Sequence, residues 1–214
     1  MGALYEGATP QAIDAAVDAL SGSGVVLMPA DTVYGFFGRA DDQEAVERVY
    51  GIKQRDRGKP FVLYTDARSV DRWAEVGPVA KELVDTFWPE ALALVLPRRD
   101  TIPAWFTAGG PTVAVMTAAN HLISSVVSLV DGPVFGTTVN YSGEPSITTG
   151  ADAMRFRDRV DVMIVDDSIP VYNVSSTILD CTIDPPVVIR EEAIPLERIH
   201  QRIPGVRVDR SRRK

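Results

Sequence analysis

The stretch VVLMPADTVYG, residues 25–35, joins a short apolar run directly to a polar loop. Val25 to Met28 is typical of a buried strand. The loop that follows carries hydroxyls at Thr32 and Tyr34, and Gly35 permits a tight turn. Because ligands in open α/β sheets bind at strand ends, this loop is a candidate ligand site. An ordinary strand-ending turn explains the same pattern, so the loop alone does not identify a function.

Strand-like and helix-like segments alternate on both sides of this stretch. Upstream, Thr9 and Pro10 are typical of a helix N-cap and first helical residue, and apolar residues recur at helical spacing as far as Leu20. Downstream, the pattern predicts a helix from about residue 42 and helices at 81–87, 122–130 and 151–156, with strands at 61–64, 91–96, 112–116, 133–138, 162–165, 177–181 and 187–190. This alternation predicts one α/β domain with a mixed sheet.

The composition limits the possible functions. Hydrophobic residues make up 45% of the 214 residues, which is ample for one sizeable core. No apolar run approaches the roughly 20 residues that span a bilayer, and no signal peptide is evident, so we expect a cytoplasmic protein without a membrane contact. With Cys181 as its one cysteine and two distant histidines, the chain has no pattern for a disulfide or a zinc site.

The charge distribution is uneven along the chain. The formal net charge is −7, which disfavours tight nonspecific binding to nucleic acid. The end of the chain is nevertheless basic, and we interpret residues 205–214 as a flexible tail outside a domain at 9–204. A solvated terminus or an RNA-binding tail would explain this charge. The cations of the tail are Arg207, Arg210, Arg212, Arg213 and Lys214.

A second polar loop follows the predicted helix that starts near residue 42. Residues 53–59 carry four cations within seven positions, beginning with Lys53 and Arg55. Two cations one residue apart can converge on a polyphosphate, because arginine binds two oxygens at once while lysine acts as a mobile point charge. A merely solvated basic loop is the alternative.

Two further loops lie at strand ends. Residues 136–146 (GTTVNYSGEPS) are rich in small hydrogen-bond donors and could hold phosphates through hydroxyl and backbone N–H groups. Ser176 and Thr177 open one strand, and Arg190 ends the next. An ordinary polar turn and a surface ion pair are the simpler readings of these two loops. The common nucleotide motifs, GxxxxGK[ST] and GxGxxG, are both absent.

Taken in order, the loops resemble the YrdC-like family, the L-threonylcarbamoyladenylate synthases and their YciO-like relatives. The matching segments are PADTVYGF at 29–36, KQR at 53–55 with KP at 59–60, WPEALAL at 88–94, TVAVM at 112–116, TVNYSGEPS at 138–146, SSTILD at 175–180 and VIREEAI at 188–194. The resemblance implies a YrdC-like fold, in which a twisted mixed β-sheet is flanked by helices and has a concave ligand-binding face.

The resemblance also implies a function. Family members use ATP, bicarbonate and L-threonine to make L-threonylcarbamoyladenylate and pyrophosphate, a nucleotidyl transfer that serves threonylcarbamoyl-adenosine modification of tRNA. Magnesium would arrive on the ATP phosphates, and tRNA or another structured RNA is a further expected partner.

The resemblance assigns roles to twelve residues. Lys53 and Arg55 are expected to be catalytic and, as phosphate ligands, to belong to the nucleotide site. The other expected nucleotide-binding residues are Thr138, Asn140, Ser142 and Arg190. The expected substrate-binding residues are Thr32, Tyr34, Tyr64, Met116, Ser176 and Thr177.

The chain departs from the family pattern mainly on the amino-acid side of the pocket. Ala30 replaces a threonine, Tyr64 a histidine, and Met116 an arginine. A thioether cannot pair with a substrate carboxylate, so either another cation takes over or the amino-acid substrate differs. Glu192 replaces a glycine, and Thr138 conservatively replaces a serine.

Three functions remain open on this basis. The first is threonylcarbamoyladenylate synthesis, and the second is a divergent paralogue that makes another carbamoyl-adenylate. The third is a non-catalytic module that binds RNA or nucleotide, which the acidic composition disfavours.

Overall fold

The computed structural model describes residues 2–169 and 174–209. Within them, eleven strands form one mixed sheet in the order β1-β8-β2-β3-β7-β4-β6-β5-β9-β10-β11. The strands are β1 Ala3–Glu6, β2 Val26–Pro29, β3 Tyr34–Arg39, β4 Val62–Tyr64, β5 Leu92–Pro97, β6 Thr112–Met116, β7 Val134–Thr138, β8 Val162–Val165, β9 Thr177–Asp180, β10 Val187–Arg190 and β11 Arg207–Val208. The prediction of one mixed sheet is confirmed.

In the described residues, six α-helices flank this sheet. They are α1 Pro10–Ser21, α2 Gln43–Lys53, α3 Pro78–Phe87, α4 His121–Leu129, α5 Gly150–Ala153 and α6 Leu196–His200. Thr9 caps α1 by accepting the Ala12 N–H, and Pro10 is the first helical residue, as predicted. The predicted helix at 151–156 is divided, because α5 passes into a 3₁₀ turn at Met154–Arg159.

The two faces of the sheet are covered differently. Because side chains alternate along a strand, Leu63 and Phe135 enter the larger core with the apolar sides of α2 and α3. On the opposite face, α1 and α4 pack together on Val26, Phe37 and their neighbours. This second helical layer covers only part of its face. The remainder of that face is open and holds a cavity.

The sequence pattern did not predict β1, β3, β11 or α6. At β3 the error has a clear cause, since Gly35 and Gly38 look like turn signals. In the structure they are strand residues that leave room for aromatic rings. A Cβ on Gly35 would lie 2.7 Å from the Phe37 ring, and one on Gly38 would lie 2.6 Å from the Phe135 ring.

Two strands of the sheet extend beyond the predicted domain limits of 9 and 204. At one end, β1 pairs with β8, so the sheet begins before residue 9. At the other, Arg207 and Val208 pair with β10 in parallel, which departs from the prediction of a flexible tail at these residues. The remaining predicted tail cations, Arg210, Arg212, Arg213 and Lys214, lie outside the described residues.

Candidate functional site

A cavity of about 330 Å³ lies on the open part of the concave face. We call it the central cavity, and it extends from β3 across β7, β4, β6 and β5 to β9 and β10. Eight of the twelve predicted site residues line it: Thr32, Tyr34, Arg55, Tyr64, Met116, Thr138, Ser176 and Arg190. The other four, Lys53, Asn140, Ser142 and Thr177, do not.

Arg55 reaches the central cavity from the end of α2. Gln54 adopts a left-handed conformation (φ 51°) that ends the helix and turns the chain. The Arg55 Nε then donates to the Lys59 carbonyl at 2.9 Å, and the guanidinium lies 5.5 Å from the centre of the Phe61 ring. Burial lowers the pKa of this guanidinium, but arginine stays charged at neutral pH. The loop backbone thus holds a permanent cation at the cavity.

Arg190 supplies a second cation from β10. Its Nε and Nη2 donate to the Ser176 carbonyl at 3.0 and 2.8 Å, and Nη2 also contacts the Ser176 Oγ at 3.2 Å. Burial lowers its pKa, while the charge of Glu192 acts in the opposite direction. Because Ser176 holds one side of the guanidinium, Nη1 is the donor group for which the described residues give no partner.

Lys53 lies behind the cavity wall and is only 1% exposed. Its ammonium donates to the Thr138 carbonyl, to the Asn140 carbonyl at 3.2 Å and to the Asn140 Oδ1 at 2.6 Å. Burial, helped by the charge of Arg55, lowers its pKa to about 7. All three donors are used, so the predicted phosphate contact requires Lys53 to give up at least one of these bonds.

The loop after β7 is built around that ammonium. Besides binding Lys53, the Asn140 Oδ1 accepts the Thr138 hydroxyl at 2.9 Å, and its amide donates to the Glu144 carbonyl at 2.7 Å. The Ser142 N–H donates to the Lys53 carbonyl at 2.8 Å, while the residue itself is exposed. In this arrangement Asn140 shapes the loop, and Thr138 is the member that lines the cavity.

Thr177 has a similar internal role. It is fully buried, and its hydroxyl donates to the Ile194 carbonyl at 2.9 Å and accepts the N–H groups of Glu192 and Ile194. The hydroxyl therefore fixes residues 192–194 after Arg190. Thr177 thus supports the segment after the arginine that lines the cavity, and its predicted substrate contact stays a prediction.

Tyr34 contributes to the cavity wall, but its hydroxyl is used elsewhere. The hydroxyl donates to the Asp167 carboxylate at 2.7 Å and accepts the Asp166 N–H at 3.2 Å. Burial and these carboxylates raise its pKa above the ordinary value. Asp167 in turn accepts the Gly150 N–H at 2.8 Å. Tyr34 thus joins the start of α5 to the turn after β8.

Four wall residues of the central cavity, contributed by the loop after β2, by β4 and by β6, carry no charge. We call them the uncharged end: Ala30, Thr32, Tyr64 and Met116. Tyr64 and Met116 are paired across β4 and β6. The two cations, Arg55 and Arg190, come from other elements. The three substitutions noted in the sequence therefore all line one cavity.

Asp31 is a structural residue that the sequence analysis did not single out. It is 7% exposed, and its two carboxylate oxygens accept the N–H groups of Ala119 at 3.0 Å and Asn120 at 2.6 Å, just before α4. Burial raises its pKa. Its position in the PADTVYG motif, directly before the predicted Thr32, is the feature of the sequence that could have identified it.

Two larger cavities lie outside the central one. The nearer, of about 530 Å³, shares Thr32 with it and is lined by the carboxylates of Asp31, Glu90 and Glu192. The other, of about 550 Å³, lies at the start of α3 beside residues 181–186 and contains no predicted site residue. In the described parts of the chain, no group of three His, Cys, Asp or Glu side chains could hold a metal ion. No helix in the same parts is long and apolar enough to cross a membrane.

Known proteins share both the sequence pattern and the fold. Residues 18–192 match the Sua5/YciO/YrdC family model, which is described as "Telomere recombination". A threonylcarbamoyl-AMP synthase of Pyrococcus abyssi is 33% identical over 187 residues, covering 86% of this chain and 55% of the relative. One of Bacillus subtilis is 32% identical over 189 residues, with 87% and 55% coverage.

The crystal structure of P. abyssi Sua5 complexed with L-threonine has a TM-score of 0.90 and 28% identity, and the match covers 98% of this chain and 62% of that one. The chain thus spans little more than half the length of these relatives. The family match extends over most of the present sequence, and it includes every strand that lines the central cavity. The chain belongs to the Sua5/YciO/YrdC family.

Proposed function

We propose that this chain forms L-threonylcarbamoyladenylate from L-threonine, bicarbonate and ATP and releases pyrophosphate. The observation that carries the proposal is that Arg55 and Arg190 line the same cavity, whose described wall contains no carboxylate. Two guanidinium groups in such a wall suit the phosphates of a nucleotide. The threonylcarbamoyl-AMP synthase relatives and the relative crystallised with L-threonine support the same reaction.

The chemistry needs positioning and charge neutralisation rather than a protein nucleophile. The amine of threonine and bicarbonate combine to a carbamate with loss of water. A carbamate oxygen then bonds to the α-phosphorus of ATP as the bond from that phosphorus to the β-phosphate oxygen breaks, and pyrophosphate leaves. Both reactants are anionic, so Arg55 and Arg190 would offset their repulsion and align them. Such a reaction is a nucleotidyl transfer.

The site residues divide into contacts and supports. Arg55, Arg190 and Thr138 line the cavity and would contact the nucleotide. Lys53 and Asn140 would act chiefly by fixing the loop that presents Thr138, and Lys53 would reach a phosphate only after exchanging one of its present bonds. Thr177 and Ser142 would support the same arrangement from outside the wall, while Ser176 orients Arg190.

Other parts of the proposal concern ligands and cellular role. Magnesium would enter on the ATP phosphates, where oxygen ligands suit it. The adenylate would supply threonylcarbamoyl-adenosine modification of tRNA in the cytoplasm, with tRNA or another structured RNA as a downstream partner. These points follow the family resemblance.

The test is pyrophosphate release by the purified protein with ATP, magnesium and bicarbonate, compared across L-threonine and other amino acids. We expect release that depends on both threonine and bicarbonate. Arg55→Ala should weaken ATP binding about 10- to 100-fold, as expected for loss of one charge-assisted bond.

Arg57→Ala is the matched control for this experiment. Arg57 lies in the same loop, but its side chain is 67% exposed and pairs with Glu47 at 2.5 Å, and it does not line the cavity. The proposal requires that this variant keep the ATP affinity of the parent. Equal losses in both variants would show that general loop charge, and not the cavity, attracts the nucleotide.

A second candidate function is formation of another carbamoyl-adenylate. The uncharged end of the cavity favours it, since Met116 offers a substrate carboxylate no cation. This function predicts that ATP binds while threonine does not stimulate pyrophosphate release.

A further inference from the structure

The uncharged end of the central cavity restricts which part of an amino-acid substrate can occupy it. Met116 and Ala30 are apolar, and Thr32 and Tyr64 carry hydroxyls. The charge of one carboxylate, Asp31, acts on Tyr64 and raises its pKa. A carboxylate placed here would face a carboxylate without any cation from the described cavity wall. This end therefore suits a neutral group.

The reaction itself fixes the orientation of the substrate, if the proposed function is correct. The amine becomes an anionic carbamate that must meet the α-phosphorus, and the substrate carboxylate is also anionic. Both belong near Arg55 and Arg190. Of the parts of an amino acid, only the side chain remains for the uncharged end.

Tyr64 is held rigidly at that end. Its ring packs edge-on against Phe37, with ring centres 5.3 Å apart. It also lies directly over Gly136, where a Cβ would come within 2.4 Å of the ring. The glycine thus makes room for the ring, and two neighbouring strands fix its position.

The Tyr64 hydroxyl has no hydrogen-bond partner among residues 2–169 and 174–209. The buried side-chain atoms of this region that lack a partner are the Nε atoms of Arg98 and Arg157. The Tyr64 hydroxyl is not one of them, so it has some accessible surface. Burial and Asp31 raise its pKa, which keeps the phenol protonated and able both to donate and to accept.

We propose that the Tyr64 hydroxyl hydrogen-bonds the side-chain hydroxyl of the amino-acid substrate and thereby selects a hydroxyl-bearing side chain over an apolar one of the same shape. This proposal rests on the proposed function, because it takes an amino acid as the substrate. Threonine and valine are the informative pair, since a methyl group replaces the hydroxyl with little change in volume. A site built around a hydroxyl rejects the analogue that lacks it far more strongly than an apolar pocket can.

The experiment compares the parent with Tyr64→Phe. Binding of L-threonine and of L-valine is measured by calorimetry with a non-hydrolysable ATP analogue present, and pyrophosphate release is measured with each amino acid. Tyr64→Phe keeps the ring against Phe37 and over Gly136, so the fold should persist. We expect the parent to prefer threonine, and the variant to lose about tenfold or more of that preference, through weaker threonine binding.

Tyr5→Phe is the control for removing a phenol hydroxyl. Tyr5 lies on β1, at the edge of the sheet, and does not line the cavity. The Tyr5→Phe variant should leave the ratio of threonine affinity to valine affinity unchanged.

The outcomes separate this inference from the proposed function. Equal binding of threonine and valine to the parent, binding of neither, or an unchanged ratio in Tyr64→Phe would each overturn the role of Tyr64. Threonine binding that depends on Tyr64 without pyrophosphate release would instead refute the proposed reaction and leave the hydroxyl contact established.

Discussion

Lys53 shows how a charged residue can act through the shape of a site. Its ammonium holds three oxygens of the loop after β7, and the residue is almost completely buried. A neutral amine has two donors and would give up one of these three bonds. The loop that presents Thr138 is therefore matched to the protonated form. Burial acts against that form by lowering the pKa to about 7.

The lowered pKa makes a prediction about stability. In the unfolded chain Lys53 keeps its proton up to about pH 10.5, whereas in the folded chain it loses the proton near pH 7. Between these values the unfolded state binds more protons, so the free energy of unfolding should rise with pH, by at most about 1.4 kcal/mol per unit from this residue. Below pH 7 both states are protonated and the effect vanishes.

Urea unfolding of the parent and of Lys53→Met at pH 6, 7.5 and 9 checks this expectation. The difference between the two proteins should change in favour of the parent as the pH rises, because the variant lacks the titrating group. Parallel stability curves would mean that the three oxygens keep Lys53 protonated throughout, with an ordinary pKa.

At the scale of elements, the site depends on cross-links between loops and neighbouring helices. Asp31 joins the loop after β2 to the start of α4 through two N–H groups, one on each carboxylate oxygen. Asp42, by contrast, caps α2 with a single oxygen that accepts both the Glu44 and the Ala45 N–H groups. An asparagine has one acceptor oxygen, so the two positions should respond differently.

We therefore predict that Asp31→Asn lowers the free energy of unfolding by about 1–2 kcal/mol, through loss of one buried hydrogen bond. Asp42→Asn should lower it by less than Asp31→Asn does, since asparagine is as good an N-cap as aspartate and keeps the one oxygen that accepts both N–H groups. Chemical denaturation at pH 7 measures both. A stabilised Asp31→Asn protein would show that relief of the buried charge outweighs the lost bond.

The sequence predicted elements best where local chemistry determines them. The Thr9 cap, the alternating apolar runs and the pair of loop cations were all visible in the sequence, and Arg55 and Arg190 do share a cavity. The burial of Lys53 was not visible, because a lysine in a basic loop looks solvated. The sequence also did not show that the Thr177 hydroxyl points inward. Its partners at residues 192–194 come close only when β9 pairs with β10. Tertiary contacts decide which members of a motif line the cavity and which support it.

For the whole molecule, the unequal covering of the two sheet faces creates the site. One face is closed by the larger core, and the other is covered by α1 and α4 over only part of its width. Strand residues such as Val62 and Ala114 are consequently half-buried on the open part. Both edges of the sheet are completed by strands that the sequence did not predict, β1 and β11. Both edge strands of the sheet that carries the open face are thus paired with inner strands, β1 with β8 and β11 with β10.

The edge strand β11 should accordingly be required for stability. Its segment buries Val206, and the Arg207 N–H donates to the Pro186 carbonyl at 2.8 Å while the Asp209 N–H donates to the Val188 carbonyl at 3.0 Å. A chain truncated after Pro204 loses this burial and these bonds and exposes the edge of β10, which also carries Arg190. We expect it to lose about 2–4 kcal/mol of unfolding free energy.

A chain ending at Asp209 retains all of β11 and is the control. If the two chains are equally stable in urea, β11 is dispensable and the domain ends at residue 204.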